Sequence, residues 1–220
     1  MSDFGVFDII GPRMIGPSSS HTAGAARLAY VAWKIAGRNV KKAELTLYGS
    51  FAETGRGHGT DKALIAGILG MKPDDEDLAR APEIAKERGI TVEVIFSDET
   101  PEQPNTARIH IESPDGTVTE VVGASIGGGN ILITEIDGLN VELTGDYPTL
   151  LVRHHDVPGV ITEITRLLSE NHINIAFMQV FRHGRGEDAF MTIETDEKIP
   201  RDLPEKILSL CPEIHDVRTV

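Results

Sequence analysis

A chain of 220 residues is long for one domain and comfortable for two, and 40% apolar residues suffice for a sizeable core. Its 34 acidic and 21 basic side chains leave a formal net charge of −13, which argues against binding nucleic acid or docking on anionic membranes. No apolar run reaches the length of a membrane span, the start lacks a basic-then-apolar leader, and the lone Cys211 excludes an internal disulfide and suits a reducing cytoplasm.

The first stretch with chemical content is Gly11-Pro12-Arg13-Met14-Ile15-Gly16-Pro17-Ser18-Ser19-Ser20-His21-Thr22-Ala23-Gly24. A helical pattern follows over 25–36, with Leu28, Val31, Ala32 and Ile35 at three- and four-residue steps and Gly37 as the stop. Two Gly-Pro turns thus bring hydroxyls and an imidazole to a helix start, where unpaired N–H groups and the dipole favour an anion such as a carboxylate. Capping alone requires one hydroxyl, and here Ser18, Ser19, Ser20 and Thr22 surround His21.

Residues 43–48 alternate as a strand and lead into a second glycine-rich stretch, Gly49-Ser50-Phe51-Ala52-Glu53-Thr54-Gly55-Arg56-Gly57-His58-Gly59-Thr60-Asp61, read as a loop. A helix is expected from about 60 to 69. The second stretch lacks the Gly-Lys-Ser/Thr ending of a phosphate-binding loop. Like the first, it sets a histidine and a hydroxyl beside a glycine-softened helix start, and two such stretches in one domain point to a shared site. Further on, 78–88 reads as a helix and 91–96 as a strand; 107–113 and 117–122 form a hairpin around Pro114-Asp115-Gly116. The glycines of 123–130 predict a bulge, hinge or ligand-approach loop. Strands at 131–136 and 139–143 bracket Asp137-Gly138. The first domain, 1–145, is expected to be mixed α+β with a largely antiparallel sheet.

Gly145-Asp146-Tyr147-Pro148 is the candidate linker to a second domain, 146–220. There the pattern is strand 149–154, turn 155–159, helix 160–171, strand 173–182, turn 183–186, strand 188–195, helix 200–210 and strand 214–220. This β-α-β-β-α-β order is the ferredoxin-like split motif. Adjacent His154 and His155 on a strand should point to opposite faces. No His-Glu-x-x-His or comparable metal-ligand spacing occurs.

With Asp156-Val157-Pro158-Gly159-Val160 between first strand and first helix, the second domain resembles the ACT domain, a small amino-acid-binding module. The resemblance implies pairing through sheet edges or helices, hence a homodimer, and a regulatory ligand near His155, Asp156, Pro158, Gly159, Val160 and Asn174. The first domain, through Phe7-Asp8-Ile9-Ile10-Gly11-Pro12, Ile15-Gly16-Pro17-Ser18-Ser19-Ser20-His21-Thr22 and Thr54-Gly55-Arg56-Gly57-His58-Gly59-Thr60-Asp61-Lys62-Ala63, resembles the iron–sulfur-dependent bacterial L-serine dehydratases. In their two-chain form the β chain joins this domain to an ACT domain, while an α chain carries the cysteines and the 4Fe–4S cluster. The resemblance therefore covers essentially the whole chain, and one cysteine fits the β chain.

The implied reaction is β-elimination of L-serine to pyruvate and ammonia, with no pyridoxal phosphate and with any monovalent-cation requirement open. His58 is the first candidate for the base and His21 the alternative or an orienting donor. Ser18, Ser19, Ser20, Thr22, Gly59 and Thr60 are candidates for substrate binding, and Asp61 for orienting His58 or meeting the ammonium. The first domain also looks like the extra domain of some phosphoglycerate dehydrogenases, where the same pocket is an anion-binding regulatory site. That likeness keeps open a non-catalytic amino-acid or anion sensor.

Overall fold

The computed structural model describes residues 13–182 and 184–220. The Phe7–Pro12 part of the first motif and the turn residue His183 lie outside them. The chain divides into two compact units, Met1–Gly138 and Leu139–Val220. No helix among the described residues is long and apolar enough to cross a membrane.

In the first unit a π-helical turn, Ser19–Gly24, runs directly into α1 (Ala25–Ile35), whose Leu28, Val31, Ala32 and Ile35 are all buried as the periodicity predicts. β1 (Lys42–Leu47) buries Ala43, Leu45 and Leu47 on one face. The glycine-rich stretch after it is not the expected loop. It forms α2 (Ser50–His58), followed at once by α3 (Thr60–Ile68). Only Gly59 separates them, and its left-handed φ of 67° ends one helix and starts the next. Phe51, fully buried, anchors α2, and Gly55 is needed where Thr60 packs, because a Cβ there would come within 3.2 Å of the Thr60 Cβ. Tertiary packing thus overrides the poor helix propensity of Gly55 and Gly57.

A short 3₁₀ turn, Leu78–Arg80, precedes α4 (Ala81–Glu87). The sheet of this unit is completed by β2 (Thr91–Phe96), β3 (Thr106–Glu112), β4 (Val118–Gly127) and β5 (Asn130–Ile136), in the order β2-β1-β3-β4-β5, and β6 (Leu139–Leu143) opens the second unit. β1 pairs β2 in parallel and β3 antiparallel, and β3, β4 and β5 pair antiparallel. Asp137 and Gly138 both have positive φ, 50° and 79°, as a two-residue hairpin turn requires.

Of the bulge, hinge or ligand-approach loop expected at 123–130, the structure has the bulge: β4 continues to Gly127 with register shifts between Val122 and Gly123 and between Ser125 and Gly127. Gly123 is there for a close approach: a Cβ would stand 2.7 Å from Leu28 Cδ1 and 2.8 Å from the Leu132 carbonyl.

The second unit is the predicted β-α-β-β-α-β fold. It runs β7 (Thr149–His155), α5 (Val160–Glu170), β8 (Ile175–Arg182), β9 (Asp188–Thr195), α6 (Leu203–Leu208) and β10 (Ile214–Thr219). Its four-stranded sheet has the order β10-β7-β9-β8, antiparallel throughout. Leu150, Val152, Met191 and Ile193 of the sheet meet Ile164 and Leu168 of α5 and Ile207 of α6 in one core. The last helix begins later than the expected 200, because Pro204 has no N–H to bond one turn back and must stand in the first turn. His154 is buried and His155 half-buried, on opposite faces as the strand geometry dictates.

Candidate functional site

The two histidine stretches of the first unit meet. Ser18 caps the π-helical turn: its Oγ accepts the His21 N–H at 3.0 Å, and its carbonyl accepts from both Thr22 and Ala23. The doubled bond widens the turn and swings the His21 ring toward α2. There its Nε2 lies 3.0 Å from Thr54 Oγ1, 3.1 Å from Ser50 Oγ and 3.3 Å from the Ser50 carbonyl. The ring stands edge-on to Phe51 at 5.3 Å and beside the His58 ring at 4.8 Å between centroids.

Ser50, Thr54 and His58 are spaced four residues apart and so share one face of α2. His58 Nδ1 lies 3.1 Å from the Thr54 carbonyl, one turn back. A carbonyl only accepts, so Nδ1 carries the proton and the lone pair of His58 is on Nε2. The Thr54 hydroxyl donates to the Ser50 carbonyl at 2.9 Å. With its proton committed there, Thr54 Oγ1 is an acceptor for His21 Nε2–H, which leaves the His21 lone pair on Nδ1.

Burial lowers the His21 pKa most, the Ser50 carbonyl opposes the shift, and the neighbouring His58 lowers it further. His21 is therefore a neutral imidazole at neutral pH. A histidine depressed in the fold contributes stability above its unfolded pKa and loses it as pH falls from that value toward the folded one. The His21 ring resonance is expected to titrate below about 6.5, the ordinary histidine value. His58→Ala, which removes both cover and a like charge, should move that titration upward; a proton NMR titration of the two proteins checks it.

The other residues of the two stretches take distinct places. Thr22 is buried and donates to the His58 carbonyl at 3.2 Å, fixing the end of α2 against the π-helical turn. Ser19 and Ser20 are half-buried, and among the described residues neither hydroxyl has a hydrogen-bond partner. Thr60 is fully buried at the start of α3, and its Oγ1 also lacks a partner among the described residues. Asp61 follows in that first turn, with no hydrogen bond or ion pair to His58 among the described residues. The residues that sequence reasoning missed are Ser50, Phe51 and Thr54. Their signal was the four-residue spacing 50–54–58, which carries meaning only once the stretch is a helix.

In the second unit, Asp156 Oδ2 accepts from Arg182 Nη1 at 2.8 Å and from the Gly186 N–H at 3.4 Å, and the Arg182 bond holds its carboxyl below the usual range. Pro158 and Gly159 are exposed, Gly159 with φ 104° and nothing within 4 Å of a Cβ position, while Val160 is a core residue. Asn174 is tied by its backbone N–H to Glu197 at 2.7 Å and by its amide to Asp196 at 2.6 Å. The His155 N–H donates to the Glu213 carbonyl at 2.8 Å.

Against known proteins, the family model described as serine dehydratase beta chain matches residues 3–135, and that of the ACT domain matches residues 148–212. A "Probable L-serine dehydratase, beta chain" of Bacillus subtilis is 46% identical over 215 residues, 98% of this chain and 97% of the relative. An "L-serine dehydratase, beta chain" of Peptoniphilus asaccharolyticus is 38% identical over 213 residues, 96% and 95% of the two chains. A D-3-phosphoglycerate dehydrogenase of Bacillus subtilis is 32% identical over 163 residues, 72% of this chain and 30% of the dehydrogenase.

Proposed function

The chain belongs to the serine dehydratase beta chain family, with an ACT domain behind the family's own, and from that premise we propose that it is the β subunit of an L-serine ammonia-lyase. The observation that supports this most is the His21–His58 pair, with ring centroids 4.8 Å apart, inside a chain similar over nearly its full length to L-serine dehydratase beta chains.

The reaction breaks the Cα–H bond of L-serine; the electron pair forms a Cα–Cβ double bond and the hydroxyl leaves Cβ. The aminoacrylate tautomerises to an imine, which water hydrolyses to pyruvate and ammonia. His58 Nε2, with its proton held on the other nitrogen, accepts the Cα proton. His21 stays neutral beside it, so the pair takes up one proton rather than two. Ser19 and Ser20 offer hydroxyls to the substrate carboxylate, Asp61 is the candidate for the ammonium, and Gly59 lets the substrate approach the backbone; Thr60, expected to bind substrate, is fully buried against Gly55 and instead packs the α2–α3 junction. Ser18 and Thr22 keep the turn and the end of α2 in place.

This chain does not fit as the holder of an iron–sulfur cluster. Its one cysteine, Cys211, is half-buried in the second unit, and burial and then Glu213 push its thiol pKa up, against thiolate ligation. Among the described residues no group of three histidine, cysteine or acidic side chains is placed to hold a metal ion. We assign the 4Fe–4S cluster, and any monovalent cation, to a partner α subunit, which also handles the departing hydroxyl. The assembly is cytoplasmic, and two copies pair through their ACT domains, where the edge strand β8 exposes Phe177 and Val180.

The test is pyruvate formation from L-serine under nitrogen, by the chain alone and after reconstitution with a cysteine-bearing α chain, iron and sulfide. Turnover in the mixture alone is the expected result, and Cys211→Ser should retain wild-type iron content and turnover. A complex with an intact cluster and no turnover would overturn the reading. The likeness to phosphoglycerate dehydrogenase would then favour an amino-acid or anion sensor, and calorimetry with L-serine would follow.

A further inference from the structure

We propose that Thr54 is the positioning residue of this site, setting the tautomer of His21 and the orientation of both imidazoles. This role presupposes that His21 and His58 handle the substrate proton. Three bonds converge on Thr54. Its carbonyl receives His58 Nδ1–H at 3.1 Å, its hydroxyl proton goes to the Ser50 carbonyl at 2.9 Å, and its Oγ1 stands 3.0 Å from His21 Nε2. A single backbone unit therefore spaces the two rings, one through its main chain and one through its side chain.

The side-chain bond settles a competition. Of the three oxygens around His21 Nε2, the Ser50 carbonyl can only accept, and Thr54 Oγ1 accepts because its own proton is already given away. Ser50 Oγ, at 3.1 Å, is the one partner able to donate to Nε2. Were it to do so, the ring proton would move to Nδ1 and the lone pair would turn inward toward Ser50. Thr54 weights the balance toward Nε2–H, so that the basic nitrogen of His21 is Nδ1, away from α2. Without Oγ1 the acceptor at 3.0 Å is gone, and only the longer contact to the Ser50 carbonyl, 3.3 Å, opposes donation by the Ser50 hydroxyl at 3.1 Å.

The variants that separate these states are Thr54→Val, which keeps the shape and removes the hydroxyl, and Thr54→Ser, which restores it. Both keep the main-chain carbonyl that holds His58. Two readouts are needed, one independent of turnover. In the full-length chain with ¹⁵N-labelled histidine, the nitrogen shifts report which ring nitrogen of His21 bears the proton. The expected result is Nε2–H in wild type and Thr54→Ser, and a marked shift toward Nδ1–H in Thr54→Val. In the reconstituted enzyme, Thr54→Val should lower kcat about 10- to 100-fold, the scale of a misplaced catalytic group, with KM for L-serine little changed and an altered acid limb; Thr54→Ser should recover both. An unchanged His21 tautomer in Thr54→Val overturns the proposal, as does a loss of kcat that Thr54→Ser fails to restore. If the wild-type assembly does not turn over L-serine, the functional reading falls, and the nitrogen shifts still decide the role of Thr54.

Discussion

In the assembled enzyme His58→Ala is expected to lower kcat for L-serine by about 10²- to 10⁴-fold, the range for loss of a general base. The pocket should survive the substitution. The bond that Thr22 makes to residue 58 is to its carbonyl, which alanine keeps, and α2 is anchored through the buried Phe51 rather than through the imidazole. Thermal stability and association with the α chain should therefore stay near wild type, while turnover falls. Steady-state pyruvate formation beside a melting curve separates the two effects. If His58→Ala retains near-normal turnover and His21→Ala does not, the base is His21, whose Nδ1 carries a lone pair and whose depressed pKa keeps it unprotonated at neutral pH.

The largest effect on stability is expected at Gly67, with alanine lowering the melting temperature by about 6–12 °C. Gly67 stands inside α3, where it faces α1, and by helix propensity alone alanine there would be favoured by about 1 kcal/mol. Packing reverses the sign. A Cβ at Gly67 would run into the Ala26 carbonyl and stand 2.6 Å from both the Ala29 Cβ and the Tyr30 backbone nitrogen. Two of these three obstacles are main chain and cannot turn aside, so the helices must separate at a cost of about 3 kcal/mol. For a chain of this size each kcal/mol is worth about 2–4 °C. Gly57→Ala is the control: it also lies in a helix, nothing lies within 4 Å of its Cβ position, and it should leave the protein as stable or slightly more so. Equal melting temperatures for the Gly67→Ala and wild-type proteins would mean that the α1–α3 contact is looser than described.

What the sequence reveals depends on how much of an element is local. The second unit was legible in full order because its strands are short apolar runs, as at Leu150-Leu151-Val152, and most of its turns carry a glycine or proline, as at Pro158-Gly159. The hairpin at Asp137-Gly138 was legible for the same reason: two positive φ values demand those residue types. α2 was not. Gly55 and Gly57 lower its propensity, and what makes it helical is the burial of Phe51 and the fit of Gly55 against Thr60, both long-range facts. The two candidate histidines could be singled out by type and by the glycines around them, but the Ser50–Thr54–His58 face could not, since a loop has no faces. Gly123 left a bulge, a hinge and a ligand-approach loop open, and only its long-range neighbour decides: the missing side chain makes room for Leu28, and the strand runs on through it with a shifted register.

Cys211 has a practical consequence. The species that oxygen and peroxides attack is the thiolate, and this thiol, with its pKa raised by burial and by Glu213, holds less of it than a free cysteine at any given pH. The chain therefore contributes little to air sensitivity. A preparation inactivated by exposure to air is expected to recover when fresh partner is added to the old β chain, without replacing the β chain itself.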